Sequence, residues 1–253
     1  MVTDNEYDDL ENPYRAPVGR HDQIRTKHEI PGLGPDPNPW KTIWRRPRAT
    51  IRYLVATDPT RSVMLLAALS GINSSLSRAV ERNAGDVLPL IAILGLAVVL
   101  GPIGGIIWLY LGSALLRWVS GWFGGRGESE HIRTAMAWSL VPVLTTMVFW
   151  IPQLILFREE MFQSEMPRVE SDPALLNTMV ALGGLEALAI LILGIWTFVL
   201  FLHGLGEVQG YSAWKALGVT IVAAIMLILI LLVVVFGIVL LVGGLVAGFG
   251  GMG

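Results

Sequence analysis

Cysteine is absent from this sequence of 253 residues, and charged residues are scarce. The lack of cysteine excludes disulfides, thiolate metal sites and cysteine nucleophiles. Charged residues make up 15% of the chain, against about 25% in an average soluble protein. Hydrophobic residues make up 53%. This balance indicates an integral membrane protein.

Catalytic and cofactor motifs are also lacking. The sequence has no His-Glu-x-x-His, no serine-nucleophile elbow, no phosphate-binding glycine loop and no aspartyl pair. We therefore predict that the protein is not an enzyme and holds no cofactor or metal, and we expect no nucleic-acid partner. The first eleven residues carry five acids where a signal peptide would have a basic region and an apolar core, so we expect no cleaved leader.

Long apolar runs predict an all-α, polytopic membrane protein with a single five-helix membrane domain over residues 59–253. The second run exceeds the length of one span and contains Pro102. We expect one kinked, tilted helix there, because two spans would need a polar turn. Gly101 and Gly105 form a small-x-x-x-small pair suited to close helix packing. The predicted spans are about 61–80, 87–123, 134–157, 177–204 and 213–247.

The segment that precedes the first span, residues 38–58, is basic and amphipathic, and we name it the belt. Its apolar residues recur at helical spacing, with basic residues mostly between them. We predict an interfacial helix, broken at Pro47, that lies flat in the headgroup layer and contacts anionic lipid. An ordinary surface helix of a soluble domain is the alternative. The predicted lipid-contacting residues are Trp40, Trp44, Arg45, Arg46, Arg48 and Arg52.

The ends of the chain differ in their expected surroundings. Residues 1–37 are polar and proline-rich, which predicts a disordered tail, with a partner-binding arm as the alternative. Of the eighteen Lys and Arg residues, fourteen lie on one side of the predicted topology and four on the other. Positive charge accumulates on the cytoplasmic side. We therefore predict a cytoplasmic N-terminus and a C-terminus on the opposite side.

Polar residues inside the predicted spans form a candidate intramembrane site made of Glu186, Gln153 and Asn73. Glu186 is the only carboxylate well inside an apolar run, where a charge costs roughly 2.5–3.5 kcal/mol on insertion scales. A bound proton, or a hydrogen bond to Gln153 or to the first-span serines, would make Glu186 a structural link between helices. A role in ion coupling or proton relay is the alternative.

His203 and Glu207 are spaced four residues apart, which places them on one helix face. The spacing is typical of a metal pair, but no third ligand lies nearby in the sequence. Because the fourth span leaves the membrane here, we favour interfacial hydrogen bonding. We predict a cytoplasmic loop that includes these two residues together with Gln209 and Lys215.

Three stretches resemble the prokaryotic branch of the Yip family, whose eukaryotic members interact with Ypt and Rab GTPases. They are Asn38-Pro39-Trp40 through Arg46-Pro47-Arg48, the segment Ala137-Trp138-Ser139-Leu140-Val141-Pro142, and Gly204 through Gly218, the most specific of the three. The resemblance implies five helices, a cytosolic N-terminus and a C-terminus across the membrane. The eukaryotic members imply a role in membrane trafficking.

We therefore predict a non-enzymatic membrane scaffold or adaptor of Yip type, which recruits anionic lipids or partner proteins of the membrane or cytoplasm at its cytoplasmic face. A homo-oligomer is an open alternative to a monomer. The rival hypothesis is a transporter of ions, small solutes or lipids that uses Glu186 in the bundle.

Overall fold

The computed structural model describes residue 33 and residues 37–250, with the side chains described up to residue 242. The predicted tail therefore lies almost entirely outside the described residues. The described part is helical and contains no β-strand, which confirms the all-α prediction. The helices are α1 Pro39–Thr42, α2 Pro47–Thr57, α3 Val63–Glu81, α4 Leu90–Trp122, α5 Ser129–Ser139, α6 Val141–Leu144, α7 Trp150–Phe157, α8 Pro167–Ser171, α9 Pro173–Gln209 and α10 Ala213–Gly250.

Five stretches are long and apolar enough to cross a membrane, as predicted. Helix α4 is continuous through Pro102, so the second apolar run forms one helix and not two. At 1.5 Å per residue it is roughly 50 Å long, which exceeds the ~30 Å hydrocarbon core. The candidate spans are Val63–Glu81, Leu90–Trp122, Val141–Phe162, Pro173–Gln209 and Ala213–Val242.

The third span, predicted over about 134–157, is interrupted in the structure. Helix α5 ends at Ser139, the short helix α6 follows with Pro142 in its first turn, and a 3₁₀ turn connects α6 to α7. Hydroxyl groups pair with the backbone at the break: Thr197 Oγ1 accepts from the Val143 amide at 3.2 Å, and Thr145 Oγ1 donates to the Pro142 carbonyl at 2.6 Å. In hydrocarbon such pairing makes an interrupted helix tolerable.

The connection that follows α7 is a folded cap. Glu160 is turned inward and is 8% exposed. Its carboxylate accepts hydrogen bonds from the amides of Arg168 and Val169 at 3.2 and 3.0 Å. These amides open α8, and their partial positive charge favours a carboxylate there.

Helices α3 and α4 share the most extensive contact in the bundle, and glycine makes it possible. A Cβ atom on Gly71 would overlap the carbonyl oxygen of Gly101, and one on Gly105 would overlap the carbonyl oxygen of Ala67. The Gly101 and Gly105 pair thus lies where the backbones meet. We name this contact the glycine seam.

Substitution of Gly71 by alanine should destabilise the bundle by about 2–3 kcal/mol, because the added methyl group meets backbone that cannot move aside. The matched control is Gly95→Ala on α4, where a Cβ meets nothing within 4 Å. Helix propensity alone makes alanine favourable at such a site by up to about 1 kcal/mol. Unfolding of the purified protein in mixed micelles measures both effects. Equal stability of the two variants would contradict the role of Gly71 in close packing at the glycine seam.

Candidate functional site

The belt forms two helical pieces, with α2 beginning at Pro47, where the break is predicted. Asn38 caps α1 by accepting from the Trp40 amide at 3.0 Å, and Pro39 occupies the first turn. Asp58 is the C-cap residue of α2, and α3 begins only at Val63. Asp58 accepts from the Thr60 hydroxyl at 2.7 Å. This hydrogen bond lowers the pKa of Asp58.

The apolar side of the belt packs on protein, whereas the sequence suggested lipid. Ile43, Ile51 and Leu54 are at most 1% exposed and join a buried cluster with Trp138 of α5 and Leu200 of α9. Burying each such side chain contributes about 1.5–3 kcal/mol relative to water. Helical periodicity identifies the residues that share a face but not what covers that face. The belt is therefore an integral layer of the bundle.

The belt tryptophans lie at the rim of this cluster. The Trp40 ring is 40% exposed, and its centroid lies 4.9 Å from that of Trp138. Trp44 is half-buried against the same cluster. The Trp138 indole donates to the Arg61 carbonyl at 3.0 Å, which ties α5 to the start of the first span. Trp138 was part of the sequence resemblance, but its place as the centre of the belt's contact was not predicted.

The basic side of the belt remains outward. Lys41, Arg45, Arg46 and Arg52 are exposed, while Arg48 is half-buried. The Arg48 guanidinium donates to the Tyr211 carbonyl at 3.4 Å. An open cavity of about 430 Å³ is lined by belt residues 45–49 and by Trp196, Val199, Leu200 and His203 of α9. Most of the belt's cationic groups are thus available at one end of the bundle, which we name the belt face.

One ion pair links the belt to α9. Arg52 Nε lies 2.7 Å from Glu207 Oε1, with the two side chains 52% and 15% exposed. The hydrogen bond to Glu207, and its charge, raise the pKa of Arg52. His203 has a different partner, the Val199 carbonyl, at 2.9 Å from Nδ1. The His203 and Glu207 spacing therefore does not form a joint site. No metal-type cluster of three or more His, Cys, Asp or Glu occurs in the described part of the chain.

The predicted loop around His203 to Lys215 is mostly helical. Helix α9 continues to Gln209 and stops at Gly210, whose positive φ of 77° suits glycine. Lys215 already belongs to α10, and its ammonium lies 5.7 Å from the Tyr211 ring. Only residues 210–212 join α9 to α10. The chain on both sides of this junction is helical and packs in the bundle.

Tyr211 attaches this junction to α4, and Gln209 attaches it to the loop that follows α4. Gln209 is 2% exposed, and its side-chain oxygen accepts from the Gly127 amide at 2.9 Å. The Tyr211 and Ser120 hydroxyls are 3.2 Å apart. Burial raises the pKa of Tyr211, and the hydrogen bond to Ser120 opposes that change. Tyr211 lies in the Gly204 through Gly218 stretch of the resemblance, but its pairing with Ser120 was not predicted, since residues 91 positions apart give no local signal.

The intramembrane polar residues form two separate pairs. Gln153 Nε2 donates to Glu186 Oε2 at 2.6 Å, which links α7 to α9. Asn73 of α3 instead accepts from the Trp150 indole at 2.9 Å. The structure therefore brings together two of the three predicted residues. Each pair gives a polar group in an apolar bundle a partner on another helix.

Fold and site together define the class of this protein: an all-α, multi-pass integral membrane protein with a basic amphipathic segment packed on one end of its bundle. The chain belongs to the Yip1 domain family, whose sequence profile matches residues 40–236. This match confirms the Yip resemblance, while the prokaryotic branch stays a prediction.

The Yip1 family is a family of non-enzymatic membrane proteins. Its members interact with membranes and with proteins such as Rab GTPases. No curated protein and no solved structure matches the chain.

The Arg52 and Glu207 pair should stabilise the attached belt by about 0.5–1 kcal/mol, because the pair is close but partly exposed. A double-mutant cycle with Arg52→Gln and Glu207→Gln measures the coupling energy through unfolding of the purified protein. The coupling should fall with added salt. A control cycle that pairs Lys41→Gln with Glu207→Gln should show no coupling. A coupling near zero in the first cycle would contradict the link.

Glu186→Gln should leave stability close to that of the parent protein, because the new amide still presents an oxygen to Gln153. Glu186→Leu removes the acceptor and should cost about 1 kcal/mol. Unfolding in lipid bicelles measures both variants. If the glutamine variant is as unstable as the leucine variant, the pair does not act through this hydrogen bond.

Proposed function

We propose that this protein is a non-enzymatic membrane scaffold whose belt face recruits anionic lipids and partner proteins. The observation that carries the proposal is the division of the belt into two sides. Ile51 and Leu54 are buried in the bundle, while Lys41, Arg45 and Arg46 remain exposed. A rigidly held row of cations is suited to bind phosphate and carboxylate groups.

The belt face is proposed to be cytoplasmic. Fourteen of the eighteen Lys and Arg residues lie on the side of the chain's topology that contains the belt. Cytoplasmic connections carry this excess in membrane proteins. The inner leaflet supplies anionic lipid, and each nearby Lys or Arg contributes about 1 kcal/mol to the attraction. With five spans, the C-terminus lies on the opposite side.

Protein partners are proposed to contact the same cations. The residues that match the family, 40–236, lie in the belt and the bundle, and we propose no particular GTPase as a partner. In the family, interaction with membranes and proteins is the general activity, and membrane organisation or trafficking is the corresponding role for this chain. The exposed apolar side chains of α10 between Ile225 and Val242 leave room for lipid or a second copy.

The transporter alternative has weaker support. Glu186 has a hydrogen-bond partner on α7, and the cavity of about 370 Å³ between α3, α4, α5 and α9 is lined by other residues. A carboxylate paired in this way supports the structural role that the sequence favoured. Loss of solute flux in a folded Glu186→Gln variant in proteoliposomes would support the transporter hypothesis.

The scaffold is tested by photo-crosslinking from Lys41 in the full-length protein in native membranes. We expect protein adducts at Lys41 that decrease several-fold in the Arg45→Gln, Arg46→Gln double variant. They should persist when both residues are lysine, since the charge is kept. A probe at Ser164, at the other end of the bundle, serves as the control and should not respond. Adducts to lipid alone, or adducts unchanged by the glutamine variant, would contradict recruitment of proteins through these arginines.

A further inference from the structure

A groove runs along the outer surface of the glycine seam. Three adjoining cavities of about 240, 380 and 370 Å³ form it. Ser75 and Arg78 line both the first and the second cavity, while Ser70, Gly105 and Trp108 line both the second and the third. These shared residues make the three cavities one continuous path between α3 and α4, which we name the seam groove.

The groove is open because glycine lacks a side chain. Gly101 and Gly105 are occupied by the contact with α3, but a Cβ on Gly104 would meet nothing within 4 Å. Gly104 nevertheless lines the second cavity. This glycine is therefore not required for packing of the two helices, and its missing side chain keeps the groove open.

The walls of the groove have an amphiphilic pattern. Ser70, Ser74 and Ser75 supply hydroxyl groups along α3, while Trp108 and Leu111 supply apolar surface along α4. At one end the lining changes to Arg78 and Arg82. Neither arginine forms an ion pair with any carboxylate among the described residues, although both lie next to apolar surface. The groove thus combines an apolar channel with a cationic end.

The length of the groove corresponds to one leaflet. Ala67 lines the inner end and Arg78 the outer part. Eleven residues separate them on α3, a distance of roughly 16 Å at 1.5 Å per residue. Half of the hydrocarbon core is about 15 Å. A lipid chain of the leaflet opposite the belt face therefore spans the groove when its headgroup lies at the arginines.

We propose that the seam groove binds one anionic glycerophospholipid, with its phosphate at Arg78 and Arg82 and one acyl chain along Gly104 toward Trp108. Charge complementarity favours this occupant, because Arg78 and Arg82 form no ion pair among the described residues and a lipid phosphate would supply the negative charge. The site lies at the other end of the bundle from the belt arginines. A negative result for lipid binding in the seam groove would therefore leave the scaffold proposal intact, and a negative result for the scaffold would leave the lipid site intact.

The test is native mass spectrometry of the purified full-length protein titrated with dioleoylphosphatidylglycerol or dioleoylphosphatidylcholine. Gly104→Leu fills the groove and should reduce the first bound phosphatidylglycerol about fivefold or more. The matched control, Gly95→Leu, places the same side chain on an exposed part of α4 outside the groove and should bind as the parent does. Thermal melting checks that both variants fold.

The Arg78→Gln variant tests whether the arginines at the end of the groove bind the lipid phosphate. Replacing one guanidinium should lower the preference for phosphatidylglycerol over phosphatidylcholine about fivefold, while phosphatidylcholine binding stays unchanged.

Equal lipid binding by the parent, Gly104→Leu and Gly95→Leu would overturn the site. A dimer that disappears in Gly104→Leu, without any change in lipid binding, would assign the groove to a second copy. If Gly104→Leu does not fold, an unchanged lipid preference in Arg78→Gln overturns the proposal by itself.

Discussion

The belt face depends on one contact, the packing of the belt's apolar side against α5 and α9. Ile51 and Leu54 lose nearly all their exposure beside Trp138 and Leu200. Gly204 of α9 lies beside this contact and lets α5 come close, since a Cβ there would lie 3.2 Å from the Ala135 side chain. Once one side of an amphipathic helix is buried, the other side must face outward. The belt's cations are therefore presented by hydrophobic burial, and charge pairing adds only a modest link between α2 and α9.

The bundle beneath the belt is held by devices suited to a membrane interior. Lipid is as apolar as leucine, so close packing and interhelical hydrogen bonds replace the hydrophobic effect as the source of helix association. The glycine seam brings the backbones of α3 and α4 together, and Thr197 pairs with the amide of Val143 where the third span is interrupted. The hydrogen bond between Gln153 and Glu186 joins α7 to α9 in the same way.

The two ends of the bundle differ in chemistry. The belt face carries exposed arginines near His203, whereas the other end has a cap in which Glu160 closes on the amides of α8. The seam groove connects the second end to the middle of the bundle and carries its own arginines. The cationic groups at the two ends therefore belong to different elements, the belt at one end and the end of α3 at the other.

The sequence by itself determined the class of fold, the number of spans and the family, because these depend on local properties: runs of apolar residues, helical periodicity and short motifs. Tertiary structure alone decided that protein covers the apolar side of the belt, that Glu207 pairs with Arg52 and not with His203, and that Asn73 binds Trp150. Pro142 was visible in the sequence, but Thr197, which accepts from the Val143 amide at the break in the third span, comes from another helix. Partners of this kind are chosen by packing between distant segments, which no local pattern of residues encodes.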